Sequence, residues 1–116
     1  MGAFTSVTVV SRNNVGEGRK VITVTAVGPA SYDANGSEID VGIAALGAWD
    51  GLTTVRGGTV KQIAGTARDK YFATCVVGAQ NYTMKVVVRD AEAGTAASEV
   101  SGDISALTFT IEFEGT

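Results

Sequence analysis

Several residue types are scarce or missing in this chain of 116 residues, which has no histidine, one cysteine, one proline and three leucines. Histidine is the most common general base and a frequent metal ligand, so its absence removes the usual catalytic and metal-binding sites. Leucine commonly fills the seams between packed helices, and its scarcity argues against an all-helical protein. We therefore expect a non-enzymatic protein that holds no cofactor and no metal.

The single cysteine excludes an internal disulfide. Cys75 lies in the apolar run of residues 72–77, where the ordinary interpretation is a buried structural thiol. The alternative is a catalytic thiol, which needs a neighbouring base that histidine cannot supply here.

Strong charge of one sign and long apolar runs are also missing. Nine basic and twelve acidic residues give a net charge of −3 and a pI of about 4.8. Phosphate binding needs clustered lysine and arginine, so we expect no nucleic-acid ligand, and the triplet Arg56-Gly57-Gly58 indicates a β-bulge. No run approaches the roughly 18 apolar residues of a membrane helix, and no signal-peptide pattern is present, so we expect no membrane contact and no export.

What the chain does have is an excess of β-branched residues, with 16 valines, 14 threonines and six isoleucines. These side chains are stiff at χ1 and suit a pleated sheet. Apolar and polar residues also alternate along much of the chain, which is the period of a strand with one wet face. The composition and the alternation together predict an all-β protein.

The alternation divides the chain into strands and turns. Residues 4–12 and 19–27 form a predicted hairpin around the polar glycine loop 13–18, and residues 71–77 and 82–89 form a second hairpin. Residues 52–66 are predicted to be extended, with an interruption at Gly57-Gly58. The clearest strand is the last, in which one set of side chains should face the core: Leu107, Phe109, Ile111 and Phe113.

Turns and one short helix connect these strands. The only proline, Pro29, ends the second strand, and an Asn35-Gly36 turn follows. Asp40 is predicted to cap a helix over residues 41–46 that ends at Gly47. Residues 67–70 should turn, and residues 90–102 should form a mobile surface loop. The fold predicted is a single domain over residues 1–116, an antiparallel β-sandwich or a jelly-roll-like fold with one short helix.

Two acidic patterns resemble chemical sites. Residues 33–40 place carboxylates and an asparagine near a glycine, as a calcium loop does, but the spacing of the EF-hand is not met and a turn is favoured. Glu112 and Glu114 lie on one face of the last strand about 7 Å apart, a separation also found between glycosidase carboxylates. Like charges on the wet face of a strand explain this pair without chemistry.

Trp49 stands between glycines in Gly47-Ala48-Trp49-Asp50-Gly51. A lone tryptophan in such a segment either closes the end of the sandwich or anchors a partner. The sequence leaves both roles open.

The order of short motifs resembles the small virion structural proteins of tailed phages, and most of all the capsid decoration, or cement, proteins. The segments that carry the resemblance cover most of the chain: Tyr32-Asp33-Ala34-Asn35-Gly36-Ser37-Glu38-Ile39-Asp40-Val41, Lys70-Tyr71-Phe72, Tyr82-Thr83-Met84-Lys85-Val86 and Asp103-Ile104-Ser105-Ala106-Leu107-Thr108-Phe109. The resemblance implies a jelly-roll type sandwich without an active site. It also implies a protein made in the bacterial cytoplasm that sits on the outer surface of the phage head, bridges major capsid protein subunits and forms a homo-oligomer, with a trimer favoured.

Contact residues can be suggested from charge and position. The N-terminal Gly2, Ala3 and Phe4 are available for contacts, and a basic end on an acidic protein could meet an acidic shell. That basic end consists of Arg12, Arg19 and Lys20, and Trp49 is a further candidate anchor. A solvated loop explains the basic residues as well. Two other functions remain open, a tail-tube or tail-fibre module and a carbohydrate-binding β-sandwich.

Overall fold

The computed structural model describes residues 2–65, 70–91 and 98–116, and these residues form a β-sandwich. The elements are β1 (Thr5–Gly16), β2 (Arg19–Val27), β3 (Ser37–Asp40), α1 (Ile43–Leu46), β4 (Val55–Ala64), β5 (Tyr71–Val77), β6 (Thr83–Asp90), β7 (Ser98–Glu99) and β8 (Thr108–Gly115). The prediction of an all-β antiparallel sandwich with one short helix is confirmed.

Two antiparallel sheets face each other. The first has the order β1-β2-β8-β4, and the second has the order β3-β6-β5 with β7 also beside β6. The last strand, β8, lies between β2 and β4 with Phe113 opposite Ile22 and Gly58. Its alternating pattern therefore marks a central strand, as the sequence predicts.

The core lies between the inner faces of the two sheets. Phe4 packs edge-on against Phe109 with ring centroids 5.1 Å apart, which brings the start of the chain into the core. Alternate residues of β2, β6 and β8 supply most of the other buried side chains: Ile22, Val24, Ala26, Met84, Val86, Val88, Phe109, Ile111 and Phe113. Burial of every second residue is the direct consequence of the two-residue period of a strand.

The first hairpin is longer than the sequence predicts. Residues 13–16 continue β1, and only Glu17 and Gly18 form the turn, with φ angles of 55° and 78°. Positive φ at both central residues is typical of the type I′ turn, whose twist matches that of the strands it joins. The hairpin ladder therefore runs almost to its tip.

β1 lies at the edge of the first sheet, and its pairing with β2 is irregular. The register shifts after Thr5, after Val9 and after Asn14, and Ser6 has a positive φ of 51°. Bulges of this kind twist an edge strand away from the flat geometry that a further strand would need. The irregular edge therefore disfavours edge-to-edge aggregation.

β4 carries two bulges, at Arg56 and at Lys61, where its register with β8 shifts. The first confirms the bulge predicted at the Arg-Gly-Gly triplet. Position 58 requires glycine because two side chains lie close to its backbone. A Cβ there would lie 2.9 Å from the ring of Phe113 and 3.1 Å from the sulfur of Cys75. Because Gly58 has no side chain, β4 can lie close to Cys75 of β5 in the second sheet.

Tyr32 fills a gap along the edge of β6. β3 pairs with residues 83–86 and β7 with residues 89–90, so the amide of Val88 lies between the two partners. This amide donates to the Tyr32 hydroxyl at 3.0 Å, and the hydroxyl donates to the Glu99 carboxylate. Burial, and next the bond to Glu99, raise the pKa of Tyr32 well above its usual value.

Two predictions about local structure need correction. The helix begins at Ile43 instead of residue 41, because Val41 is buried and the Asp40 carboxylate accepts from the Gly42 amide in a turn before the helix. Ser98 and Glu99, placed in a loop by the sequence, pair with β6. Residues 92–97 of that predicted loop lie outside the described residues. So do residues 67–69 of the turn predicted over residues 67–70, and residue 66 at the end of the predicted extended stretch.

Candidate functional site

One end of the sandwich gathers exposed apolar side chains. The loop of residues 42–52, the turn of residues 78–82 and the part of the β1–β2 hairpin that carries Arg12 and Lys20 meet there. The Val55 amide donates to the Asn81 carbonyl, and Lys20 reaches the loop. Large apolar residues exposed at this end include Val15, Ile43, Trp49, Val77 and Tyr82. We call this surface the Trp49 end.

The loop of residues 42–52 is a compact loop whose two ends are joined. Gly42 and Leu52 form a β-bridge, and the Leu52 amide donates to the Val41 carbonyl at 2.8 Å. Gly51 lies so close to the start of α1 that a Cβ there would be 2.4 Å from the Ile43 Cα. Closed ends and internal packing are the features of an Ω-loop, which presents its tip on a fixed base.

Two cations hold the loop against the first hairpin. Lys20 donates from Nζ to the main-chain oxygens of Trp49 at 3.3 Å and Gly51 at 3.1 Å. Arg12 forms an ion pair with Asp50 at 2.9 Å. The loop is therefore fastened to β1 and β2 at Trp49 itself and at the two residues that follow it, Asp50 and Gly51.

The Trp49 side chain itself points into solvent, with 79% of its surface exposed. The sequence left two roles open for Trp49, closing the end of the sandwich or anchoring a partner. The indole does not close the end of the sandwich, because the fully buried Leu52 fills the core beneath the loop. An exposed indole on a fastened backbone matches the second role, a partner anchor. Tryptophan is enriched among the residues that dominate binding energy at protein interfaces.

A shallow depression of about 270 Å³ lies beside the loop. Ile43, Leu52 and the Tyr82 ring are among the side chains that line it, and Gly42 touches that ring so closely that a Cβ would lie 2.7 Å from it. The depression offers an apolar partner group a place at the base of the loop that carries Trp49.

The predicted N-terminal contact residues are not part of this end. Gly2 donates its amide to the Asp33 carboxylate at 3.2 Å and lies against Ser31 at the opposite end of the sandwich. Phe4 is buried in the core, so its side chain is not accessible to a partner, which corrects the prediction for this residue. Ala3 is exposed but is flanked by these two fastened residues.

The predicted basic cluster also differs from expectation. Arg12 and Arg19 are paired within the chain, with Asp50 and Glu114 respectively, each at 2.9 Å. Lys20 is turned toward carbonyl oxygens of the loop. The three cations therefore do not form an unpaired positive patch, and two of them fasten the loop that carries Trp49.

The two acidic patterns are engaged within the chain. In residues 33–40, Asp33 accepts from Gly2 and Asp40 accepts from Gly42, and the Gly36 amide closes the predicted turn on the Asp33 carbonyl. Among the described residues, no group of three or more histidine, cysteine, aspartate or glutamate side chains is arranged to hold a metal ion.

Glu112 and Glu114 lie on the outer face of the first sheet, near Lys61 at 3.9 Å and Arg19 at 2.9 Å. Cys75 is half-buried against β4, and burial raises the pKa of its thiol to about 11. A raised pKa keeps the thiol protonated at neutral pH, which is the opposite of what a nucleophile needs. Ion pairs on the surface therefore explain the two glutamates, and packing against β4 explains the cysteine.

Sequence reasoning missed Ile43, Asp50 and Tyr82 as members of the Trp49 end. The contact between Lys20 and the loop could have been anticipated from the alternation of side chains along β2. Lys20 stands two residues before Ile22, on the side of β2 that faces the core, so its ammonium group had to find a polar partner beyond the end of the core.

Within the described residues, no helix is long and apolar enough to cross a membrane. Comparison of the chain with protein-family models, with curated proteins and with solved structures gave no match. The fold and the Trp49 end are therefore the observations from which a function can be argued.

Proposed function

We propose that this chain is a non-enzymatic virion protein that binds the outer surface of an assembled phage head and bridges subunits of the major capsid protein. The observation that carries the proposal is the exposed Trp49 indole on a loop that Lys20 and Arg12 fasten to the sheet. A fixed loop loses little conformational entropy on binding, so more of the indole contact contributes to affinity.

The exposed Trp49 supports binding to a protein, and the choice of a phage head as the partner rests on the resemblance of the motif order to capsid decoration proteins. A protein that binds the assembled lattice and not its separated subunits stabilises the lattice by mass action, without chemistry. In this proposal the chain acts as a homo-oligomer, a trimer, since repeated weak contacts on a lattice gain avidity when they are linked.

The test mixes the purified protein with undecorated, expanded heads assembled from the capsid protein of the genome that encodes this chain. Electron microscopy should show density at regular positions on the outer lattice. Trp49→Ala should weaken binding by about 30-fold or more, as expected for a tryptophan that dominates an interface. Val10→Ala, which alters an exposed apolar residue of β1 away from the Trp49 end, is the matched control. Smooth heads with the wild-type protein would overturn the proposal.

A second function is favoured by a specific observation. Trp49 and Tyr82 are both exposed at one end, and sugar-binding modules use exposed aromatic rings as stacking surfaces. Glycan binding that Trp49→Ala abolishes, together with heads that stay smooth, would identify a carbohydrate-binding module instead.

A further inference from the structure

The outer face of β5 and β6 differs from the outer face of the first sheet. Side chains that point into the sandwich from β6 are buried, so the alternate residues point outward. The register of β5 and β6 places Phe72 opposite Arg89, Thr74 opposite Val87 and Val76 opposite Lys85. We call these six residues the β5–β6 face.

The apolar groups of the β5–β6 face are accessible. Phe72 is 43% exposed and Val76 is 41% exposed, although both stand on a regular strand. The outer face of the first sheet is polar at equivalent central positions, where Thr25 lies opposite Thr110 and Thr23 opposite Glu112. Two exposed apolar side chains along the strand of one sheet, and only threonine and glutamate at the central positions compared on the other, indicate that the two faces have different surroundings.

The cations of the β5–β6 face are turned outward. Among the described residues, no carboxylate lies within ion-pair distance of Lys85 or Arg89. A glutamate stands opposite each cation on the neighbouring strand, Glu38 opposite Lys85 and Glu99 opposite Arg89. Both glutamates bind other groups: Glu38 accepts a hydrogen bond from the Ala79 amide and has its other oxygen buried, and Glu99 accepts one from the Tyr32 hydroxyl. The positive charge of the face is therefore available to a partner.

A second copy of this chain is a poor occupant for the β5–β6 face in a two-fold, face-to-face pairing. β6 is the middle strand of its sheet, so a two-fold pairing centred on that sheet would bring Lys85 and Arg89 against the same residues of the other copy. Like charges opposed across an interface disfavour association. A partner with carboxylates among apolar groups fits both the cations and the exposed Phe72 and Val76.

We infer that the β5–β6 face is a second protein-binding surface, whose occupant is an acidic, partly apolar surface of a neighbouring shell subunit. The inference rests on the proposed function and adds to it. A protein that bridges two subunits needs two separate surfaces, and the β5–β6 face lies on the side of the sandwich while the Trp49 end lies at one tip.

The test compares head binding by wild-type protein and by the double variant Lys85→Glu/Arg89→Glu. Both side chains project from the outer face, but glutamate there would stand opposite Glu38 and Glu99 across the strands, so thermal unfolding is used to verify that the variant folds. We expect at least a tenfold loss of apparent affinity and a weaker dependence of binding on salt. Lys61→Glu, on the outer face of the first sheet, is the matched control and should bind like the wild type. If the double glutamate variant does not fold, Lys85→Gln/Arg89→Gln replaces it with the same expectation.

The outcomes separate the two proposals. Wild-type protein that coats heads, with a double variant that coats them equally well, would overturn the role of the β5–β6 face and leave head binding intact. Wild-type protein that leaves heads smooth would overturn both. Binding of a short duplex DNA that only the double variant loses, with unchanged coating of heads, would assign the face to nucleic acid and also overturn the inference.

Discussion

The ammonium group of Lys20 lies 3.3 Å from the main-chain oxygen of Trp49, a residue 29 positions away in the chain. Lys20 stands on the core-facing side of β2, at the point where the hydrophobic core ends. A charged group in that position cannot enter the core, and it donates hydrogen bonds to carbonyl oxygens of the loop instead. Through this contact the first inward residue of β2 supports the Trp49 loop.

Replacing Lys20 with methionine should loosen this loop. Methionine keeps the length and the apolar stem but removes the hydrogen bonds to Trp49 and Gly51, so we expect a loss of about 1 kcal/mol in the free energy of unfolding. Tryptophan fluorescence anisotropy should fall because the indole moves more freely. Lys61→Met should change stability by less than about 0.5 kcal/mol, since its ion pair is exposed and long. Equal anisotropy in the Lys20 variant and the wild type would contradict the supporting role.

Gly58→Ala should destabilise the sandwich by about 1–3 kcal/mol. The new methyl group would enter the space of the Phe113 ring and the Cys75 sulfur and force both to move. Gly57→Ala is a control from the adjacent residue, because the nearest atoms there belong to the exposed Glu114 at 3.9 Å. That variant should be neutral or slightly more stable. Denaturant unfolding measures both, and similar stabilities for the two variants would show that β4 and β5 separate easily.

Tyr32→Phe should cost about 1–3 kcal/mol of stability, because it leaves the Val88 amide without its hydroxyl acceptor inside the protein. Hydrogen exchange of the Val88 amide should accelerate more than that of other amides of β6. Tyr82→Phe removes a hydroxyl that makes no hydrogen bond with a described residue and should leave stability unchanged. Unaltered exchange at Val88 would mean that another group, such as water, satisfies this amide.

Stability should fall as pH rises through the alkaline range. Burial raises the pKa of Cys75 to about 11, above the value of about 8.5 in an unfolded chain. Between these values the unfolded chain has lost the proton that the folded protein still holds, so deprotonation favours unfolding. The stabilising contribution is complete below about pH 8.5 and is lost toward pH 11. The raised pKa of Tyr32 acts in the same direction at higher pH.

Denaturant unfolding at a series of pH values from neutral to pH 11 checks this expectation. Cys75→Ala removes one titrating group and should flatten the first part of the decline. A thiol reagent at neutral pH should react slowly with the folded protein and rapidly in denaturant. Stability that rises between pH 9 and pH 11, or rapid labelling of the folded protein, would contradict the burial of this thiol.

The strands were largely predictable because their signal is local. The alternation from Leu107 to Phe113 identifies which side chains of β8 face the core, and each of these four inward residues is buried. The end of β1 was not predictable from hydrophobicity, because residues 13–16 are held in the ladder by backbone bonds to β2 and by a turn of positive φ. The polar side chains of this segment resemble those of a loop.

The Trp49 end was predictable only in part. Glycines around Trp49 indicate a loop, but they do not say whether the indole faces inward or outward. That choice depends on Leu52, which already fills the space beneath the loop, and on residues of β1 and β2 that are distant in sequence. Phe4 is the opposite example: the sequence places it among the residues available for contacts, but in the structure it is buried against the ring of Phe109.

By itself, the sequence determined the class of the fold, the strands and the inward face of each strand, since β-branched composition and a two-residue period act within a few residues of chain. The tertiary structure alone decided which groups meet. It paired Arg12 and Arg19 with acids, turned Lys20 under the Trp49 loop and left Lys85 and Arg89 facing outward. These contacts join residues far apart in the chain, and their energies depend on distance and burial that no local pattern contains.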